Sequence, residues 1–162
     1  MTPGLPGTVD PVYATRVVRH VHATPRAVYR ALTDPAALAL WRVPDGMTAR
    51  VHVFEPREGG AFRVSLDYDS GGAGKSGGHS DTYRGHFARL VPDVLVVEVS
   101  AFETDDDALG ATMTLTTTLT PAGDGTDVEI LHEGVPDAVP PADNERGTRM
   151  ALDRLARLLE ER

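Results

Sequence analysis

From Tyr13 the chain reads "YATRVVRHVH", β-branched and alternating, which predicts a strand of about ten residues. Thr15, Val17, Arg19 and Val21 fall on one face of it, and Arg16, Val18, His20 and His22 on the other. In "ATPRAVYRALTDPAALALW", Thr24 is placed to cap a helix that has Pro25 at its first position and Val28, Ala31 and Leu32 at helical spacing. Asp34, restricted by Pro35, ends that helix, and a second short one carries Leu38 towards Trp41.

The middle of the chain is strand text. Met47, Ala49, Val51 and Val53 alternate with polar residues; after the turn "EPREGG", Phe62, Val64, Leu66 and Tyr68 do the same. Tyr83, Gly85 and Phe87 share a face, "VPDV" turns into "LVVEVSAF", and beyond "ETDDDALG" the residues Met113, Leu115, Thr117 and Leu119 alternate with threonines. A last turn leads into "VEILHEGV", with Val128, Ile130 and His132 on one face. Consecutive strands that each carry one apolar face imply an antiparallel sheet covered on one side. The cover is "ADNERGTRMALDRLARLLEER", where Thr148, Leu152, Leu155 and Leu159 form one stripe on a helix of about 20 residues, roughly 30 Å long.

Composition narrows the possibilities. The 162 residues suit one domain, expected over 13–162 behind a loose leader at 1–12 that lacks the regions of a signal peptide. No apolar run is long enough to span a membrane, so the cytoplasm is the expected location. Cysteine is absent, which removes disulfides, thiolate metal sites and a cysteine nucleophile. With 16 basic and 24 acidic residues the net charge is −8, and nucleic acid is not an expected partner.

Two polar stretches invite a chemical reading and fail it. "SGGAGKSGG" resembles a phosphate-binding loop, but Asp69 stands where the first glycine is required, and strand text follows where a helix should begin. The aspartates at 105–107 lack the spacing and the glycine of a calcium loop. No Gly-x-Ser-x-Gly marks a serine nucleophile.

The order strand, two helices, six strands and a long closing helix, with five words in sequence, resembles the helix-grip superfamily of START, Bet v 1 and polyketide-cyclase proteins, also called SRPBCC. More closely, the chain is similar to activator of Hsp90 ATPase homologue-like proteins. The words are "ATPRAVYRALTDP", the nearby Trp41, "EPREGGAFR", "YRGHFARLVP" and "ERGTRMALDRLARLLE". The resemblance implies an α+β fold in which a curved antiparallel sheet grips the C-terminal helix around a small hydrophobic molecule; some relatives catalyse cyclisation or dehydration and others only bind. Eukaryotic cochaperone members carry a further N-terminal domain for which the leader is too short, so no chaperone role is expected from the family name. Two family tryptophans are replaced, one by Arg42 and one by Thr148. An indole is a large packing element, so the lost volume must be repacked or left open, and Thr148 is expected to enlarge the pocket.

The residues expected to line that pocket are Val21, Trp41, Val51, Phe62, Val64, Phe87, Val97, Met113, Ile130, Thr148 and Leu152, with Arg19, Tyr83 and His132 as polar groups. Arg19 sits on the inward face, where it needs an anionic ligand or an internal carboxylate, unless a bulge turns it to solvent. His132 reads as a hydrogen-bonded core residue or an acid/base, and Tyr83 as a packed aromatic or a pocket hydroxyl. Those two are the weak catalytic candidates. His20 and His22 could share a metal only with a third ligand from a neighbouring strand, on a face expected to be solvated, so neither metal nor cofactor is expected. The resulting expectation is a binder of a small hydrophobic or aromatic molecule with an unnamed ligand. The alternatives are a polyketide cyclase or dehydratase-like enzyme and a module that contacts a chaperone or regulator. Free sheet edges leave a homodimer open.

Overall fold

The computed structural model describes residues 12–69, 80–106 and 109–160. The glycine-rich loop at 70–78, most of the leader and Asp107 lie outside the described residues. Chain order is β1 (Val12–Val21), α1 (Pro25–Thr33), α2 (Pro35–Trp41), β2 (Met47–Phe54), β3 (Ala61–Tyr68), β4 (Ser80–Val91), β5 (Leu95–Phe102), β6 (Met113–Ala122), β7 (Gly125–Pro136) and α3 (Pro141–Glu160). The strands form one curved antiparallel sheet, β1-β7-β6-β5-β4-β3-β2. Every neighbouring pair is consecutive in sequence except β1, which pairs with β7.

The helix boundaries follow from local chemistry. Thr24 Oγ1 accepts the Ala27 amide at 3.1 Å, satisfying a donor that α1 itself leaves unpaired. Asp34 serves both helices: Pro35 holds its backbone extended, at φ −113° and ψ 118°, which ends α1, and its carboxylate accepts the Ala36 amide at 3.0 Å, which starts α2. Val28, Ala31 and Leu32 of α1 are buried. Trp41 closes α2 with its indole N–H donated to the Ala31 carbonyl at 2.9 Å, locking the two helices together. The long helix α3 packs on β1, α2 and α1, burying Leu152, Leu155 and Ala156.

The inward faces of β1, β3, β6 and β7 are the ones that alternation predicts. Two other strands differ. In β2 a register shift between Val51 and Val53 turns Val53 outward, 39% exposed, and Phe54 takes the inward place, its ring edge-on to Phe87 at 5.4 Å. In β5 the buried residues are Val96 and Glu98, and Val97 is only half-buried on the opposite face. A charged residue held the inward position against a run of valines because it has a partner inside, Arg42.

Candidate functional site

Between α3 and the sheet lies a cleft of about 330 Å³. Its walls come from the end of α2 and the loop after it (Trp41, Arg42, Val43, Pro44), from β3 to β7 (Leu66, Tyr83, Ser100, Phe102, Met113, Leu115, Ile130, His132, Val135 and Pro136), and from Val139 and the first half of α3 (Asp143, Asn144, Gly147, Thr148, Met150, Ala151). Leu109 completes the rim. Arg154 on α3 ion-pairs with Asp45, fastening to the helix the loop that carries Val43 and Pro44.

The replaced tryptophans both face this space. Arg42 stands where the resemblance expects an indole, and its guanidinium donates to Glu98 at 2.7 Å while lying 5.7 Å from the Tyr83 ring centroid. Glu98 is 5% exposed. Burial opposes the charge on Arg42, but the facing Glu98 carboxylate outweighs it and holds the guanidinium firmly protonated. The pair is thus an internal salt bridge, whose worth lies mainly in each charge neutralising the other.

Tyr83 is positioned by its neighbours. Its ring meets Phe62 at 6.1 Å and Phe102 at 6.4 Å, both edge-on. Phe62 lies over Gly85, where a Cβ would sit 2.9 Å from its ring tip and 2.0 Å from the Val99 carbonyl oxygen, so only glycine leaves room. The Tyr83 hydroxyl is buried and has no hydrogen-bond partner among the described residues. Burial raises its pKa.

His132 is held by a short relay. Thr15 Oγ1 donates to Asn144 Oδ1 at 2.5 Å, and the Asn144 amide lies 3.1 Å from His132 Nδ1. An amide NH₂ can only donate, so Nδ1 accepts and the proton of the neutral ring resides on Nε2. Burial and the nearby Arg42 lower the imidazole pKa to about 4. Thr148 donates to the Asn144 carbonyl at 3.0 Å, turning its hydroxyl back into its own helix.

Of the residues named from sequence, Trp41, Tyr83, Met113, Ile130, His132 and Thr148 line the cleft. Others do not. Val21, Phe62, Val64, Phe87 and Leu152 are buried in the packed core and do not border the cleft. Val51 is half-buried against that core, and Val97 points to the far side of β5. Arg19 leaves the interior: its Nε donates to Asp153 of α3 at 2.9 Å at a partly exposed rim. The carboxylate it meets is an exposed one on α3, beside an edge strand from which a long stem can carry the charge back to water. Sequence reasoning missed Glu98 and Asn144 and noted Arg42 only as a departure. A lone Glu in a valine-rich strand, matched by an Arg in place of an indole, was the signal available.

A curved sheet closed by one long helix, with a cleft between them, defines a helix-grip protein. The chain belongs to the family described as activator of Hsp90 ATPase homolog 1-like protein, which matches residues 22–160. Among solved structures, a Chromobacterium violaceum protein is 35% identical, with 91% of this chain and 96% of that chain covered and a TM-score of 0.81. A Rhodobacter sphaeroides protein at 23% identity (92% and 93% covered, TM-score 0.76) and an AHSA1-like protein from Aeromonas hydrophila at 19% (92% and 93%, TM-score 0.70) share the fold. No curated protein matches the sequence. The family supports a ligand-binding or regulatory module, and no helix among the described residues is long and apolar enough to cross a membrane.

Proposed function

We propose that the protein binds, in the cytoplasm, a small and mostly apolar molecule in the cleft beneath α3, with one hydrogen-bond acceptor of the ligand meeting Tyr83. The observation that carries this reading is Tyr83, a residue of the cleft wall whose buried hydroxyl has no partner among the described residues. Such a group costs roughly 1–3 kcal/mol if left unsatisfied, and a ligand oxygen would recover that. The cleft volume falls at the small end of pockets that hold compact organic molecules, roughly 300–1,000 Å³.

Binding without turnover is favoured over a cyclase or dehydratase by the same groups. A general acid or base works best with a pKa near the working pH. His132 is displaced to about 4 and Tyr83 is raised, so both move away from neutrality. A chaperone- or regulator-contacting role is less supported, because the large exposed apolar residues are dispersed. Val12 and Val18 lie on edge strand β1, Val53 on the opposite edge β2, Leu40 on α2 and Val94 in the β4–β5 turn.

The test is native mass spectrometry together with a thermal-shift screen of fatty acids, aromatic polyketides and flavonoids, on the parent chain and on Thr148→Trp. A ligand that co-purifies or raises Tm, and is lost when an indole fills position 148, supports the reading. An empty chain without any stabiliser, whose Thr148→Trp variant is only more stable, overturns it.

A further inference from the structure

A second constellation lies apart from the cleft, and none of its residues lines it. At the end of β1, His20 and His22 come beside the two-residue turn between β6 and β7. His20 Nε2 and His22 Nδ1 are each 3.3 Å from Asp124 Oδ1, and the three donor atoms all lie within 4.8 Å of one another. We propose that His20, His22 and Asp124 form a binding site for a divalent transition metal, Zn²⁺ foremost, with the remaining coordination position open to water.

Both nitrogen–oxygen separations fit such an ion. Ligand atoms about 2.0–2.1 Å from a tetrahedral zinc are about 3.3 Å apart. The same distance is long for a hydrogen bond, whose N···O separation centres near 2.9 Å. Two imidazoles and one carboxylate are also a donor set that suits borderline metals such as zinc, nickel or copper, and not calcium or magnesium.

The second observation is the outer shell. His20 Nδ1 lies 2.7 Å from Asp127 Oδ1, so that carboxylate keeps a proton on Nδ1, and Nε2, which faces Asp124, is the nitrogen that would exchange its proton for a metal. A carboxylate on the far nitrogen of a ligating histidine orients it and raises its basicity. His22 is anchored as well: its backbone N–H donates to Glu160 of α3 at 2.9 Å.

The backbone is shaped for the approach. Gly123 has a φ of 55° at the first position of the turn, a conformation glycine adopts without strain. A Cβ on Gly125 would sit 2.1 Å from the Val21 carbonyl oxygen and 3.1 Å from the His22 Cα, so glycine is what lets the histidine segment close on Asp124. Asp124, Asp127 and Glu160 give the cluster negative charge, which complements a dication. His20, His22 and Asp124 are 35%, 59% and 77% exposed in their side chains, so the ion would enter and exchange from solvent.

The test is calorimetric titration of the chelator-treated full chain with ZnCl₂ at pH 7.5, with Co²⁺ absorption as a second readout. The expected result is one Zn²⁺ per chain and visible Co²⁺ bands of tetrahedral intensity. His22→Ala and Asp124→Ala should each weaken binding at least tenfold. Asp127→Asn, which removes no ligand, should weaken it about 10–100-fold, and His86→Ala on β4 should leave it unchanged. Circular dichroism would confirm that these exposed-site variants remain folded. Absence of saturable binding at millimolar Zn²⁺, or an affinity unaffected by His22→Ala and Asp124→Ala, would overturn the proposal.

Discussion

The space between α3 and the sheet has two halves built on different terms. In one, Val28 and Leu32 of α1, Leu155 and Ala156 of α3 and Val96, Leu119 and Val128 of the sheet meet with almost no exposure. In the other, about two or three turns earlier along α3, the facing side chains are Arg42, Tyr83, His132, Asn144 and Thr148, and a cleft remains. The same strands supply both: β6 contributes Leu119 to the packed half and Leu115 to the open one, and β7 contributes Val128 and His132. What differs is the third layer. Where α1 lies over the sheet the volume is filled, and where α1 ends the helix α3 spans a gap that short or polar side chains do not close.

Four perturbations would break or sharpen that contrast. The largest concerns the ion pair at the boundary: Glu98→Ala leaves the Arg42 guanidinium buried without its partner, and a loss of about 3–5 kcal/mol is expected in a urea titration. A loss below 1 kcal/mol would mean that Arg42 swings to solvent. Next, Leu155→Ala should cost about 2–5 kcal/mol, because the packed half cannot collapse around the deleted atoms. Met150→Ala on the cleft wall should cost well under half as much; equal losses would erase the distinction between the halves.

The third perturbation is pH. His132 takes up a proton near 6.5 when unfolded and only near 4 when folded. Between those values the unfolded chain binds more protons, so stability falls as pH drops through the window and is level outside it. The expected loss is on the order of 2–3 kcal/mol, read as denaturation midpoints from pH 7 to pH 4. His132→Gln should flatten that slope, and an unchanged slope would place the titrating group elsewhere. The smallest effect is the most specific: Tyr83→Phe should raise the stability of the ligand-free chain by about 1 kcal/mol, since it deletes an unsatisfied buried hydroxyl. The same change should weaken any ligand found by the thermal-shift screen, a combination that a purely structural tyrosine would not produce.

Much of this architecture was legible in the chain. Alternation located the strands and the inward faces of β1, β3, β6 and β7, and Thr24, Pro25, Asp34 and Pro35 announced the first two helices. It misjudged β2 and β5 for separate reasons. A bulge after Val51 is a backbone event without a residue signature, and Glu98 could be read as inward only by knowing that Arg42 faces it. For the site, pattern placed Tyr83, Ile130, His132 and Thr148 on the inner side and placed Val21, Phe62 and Leu152 there equally, though only the first group borders open space.

Side-chain period by itself determined which residues turn inward, because a strand repeats every two residues and a helix every 3.6 whatever surrounds them. The third layer decided which inward residues touch one another and which face a void. That depends on where α1 ends and on how far α3 stands from the sheet. Neither is local, and the pairings around the cleft, Arg42 with Glu98 and Thr15 with Asn144, join residues far apart in the chain.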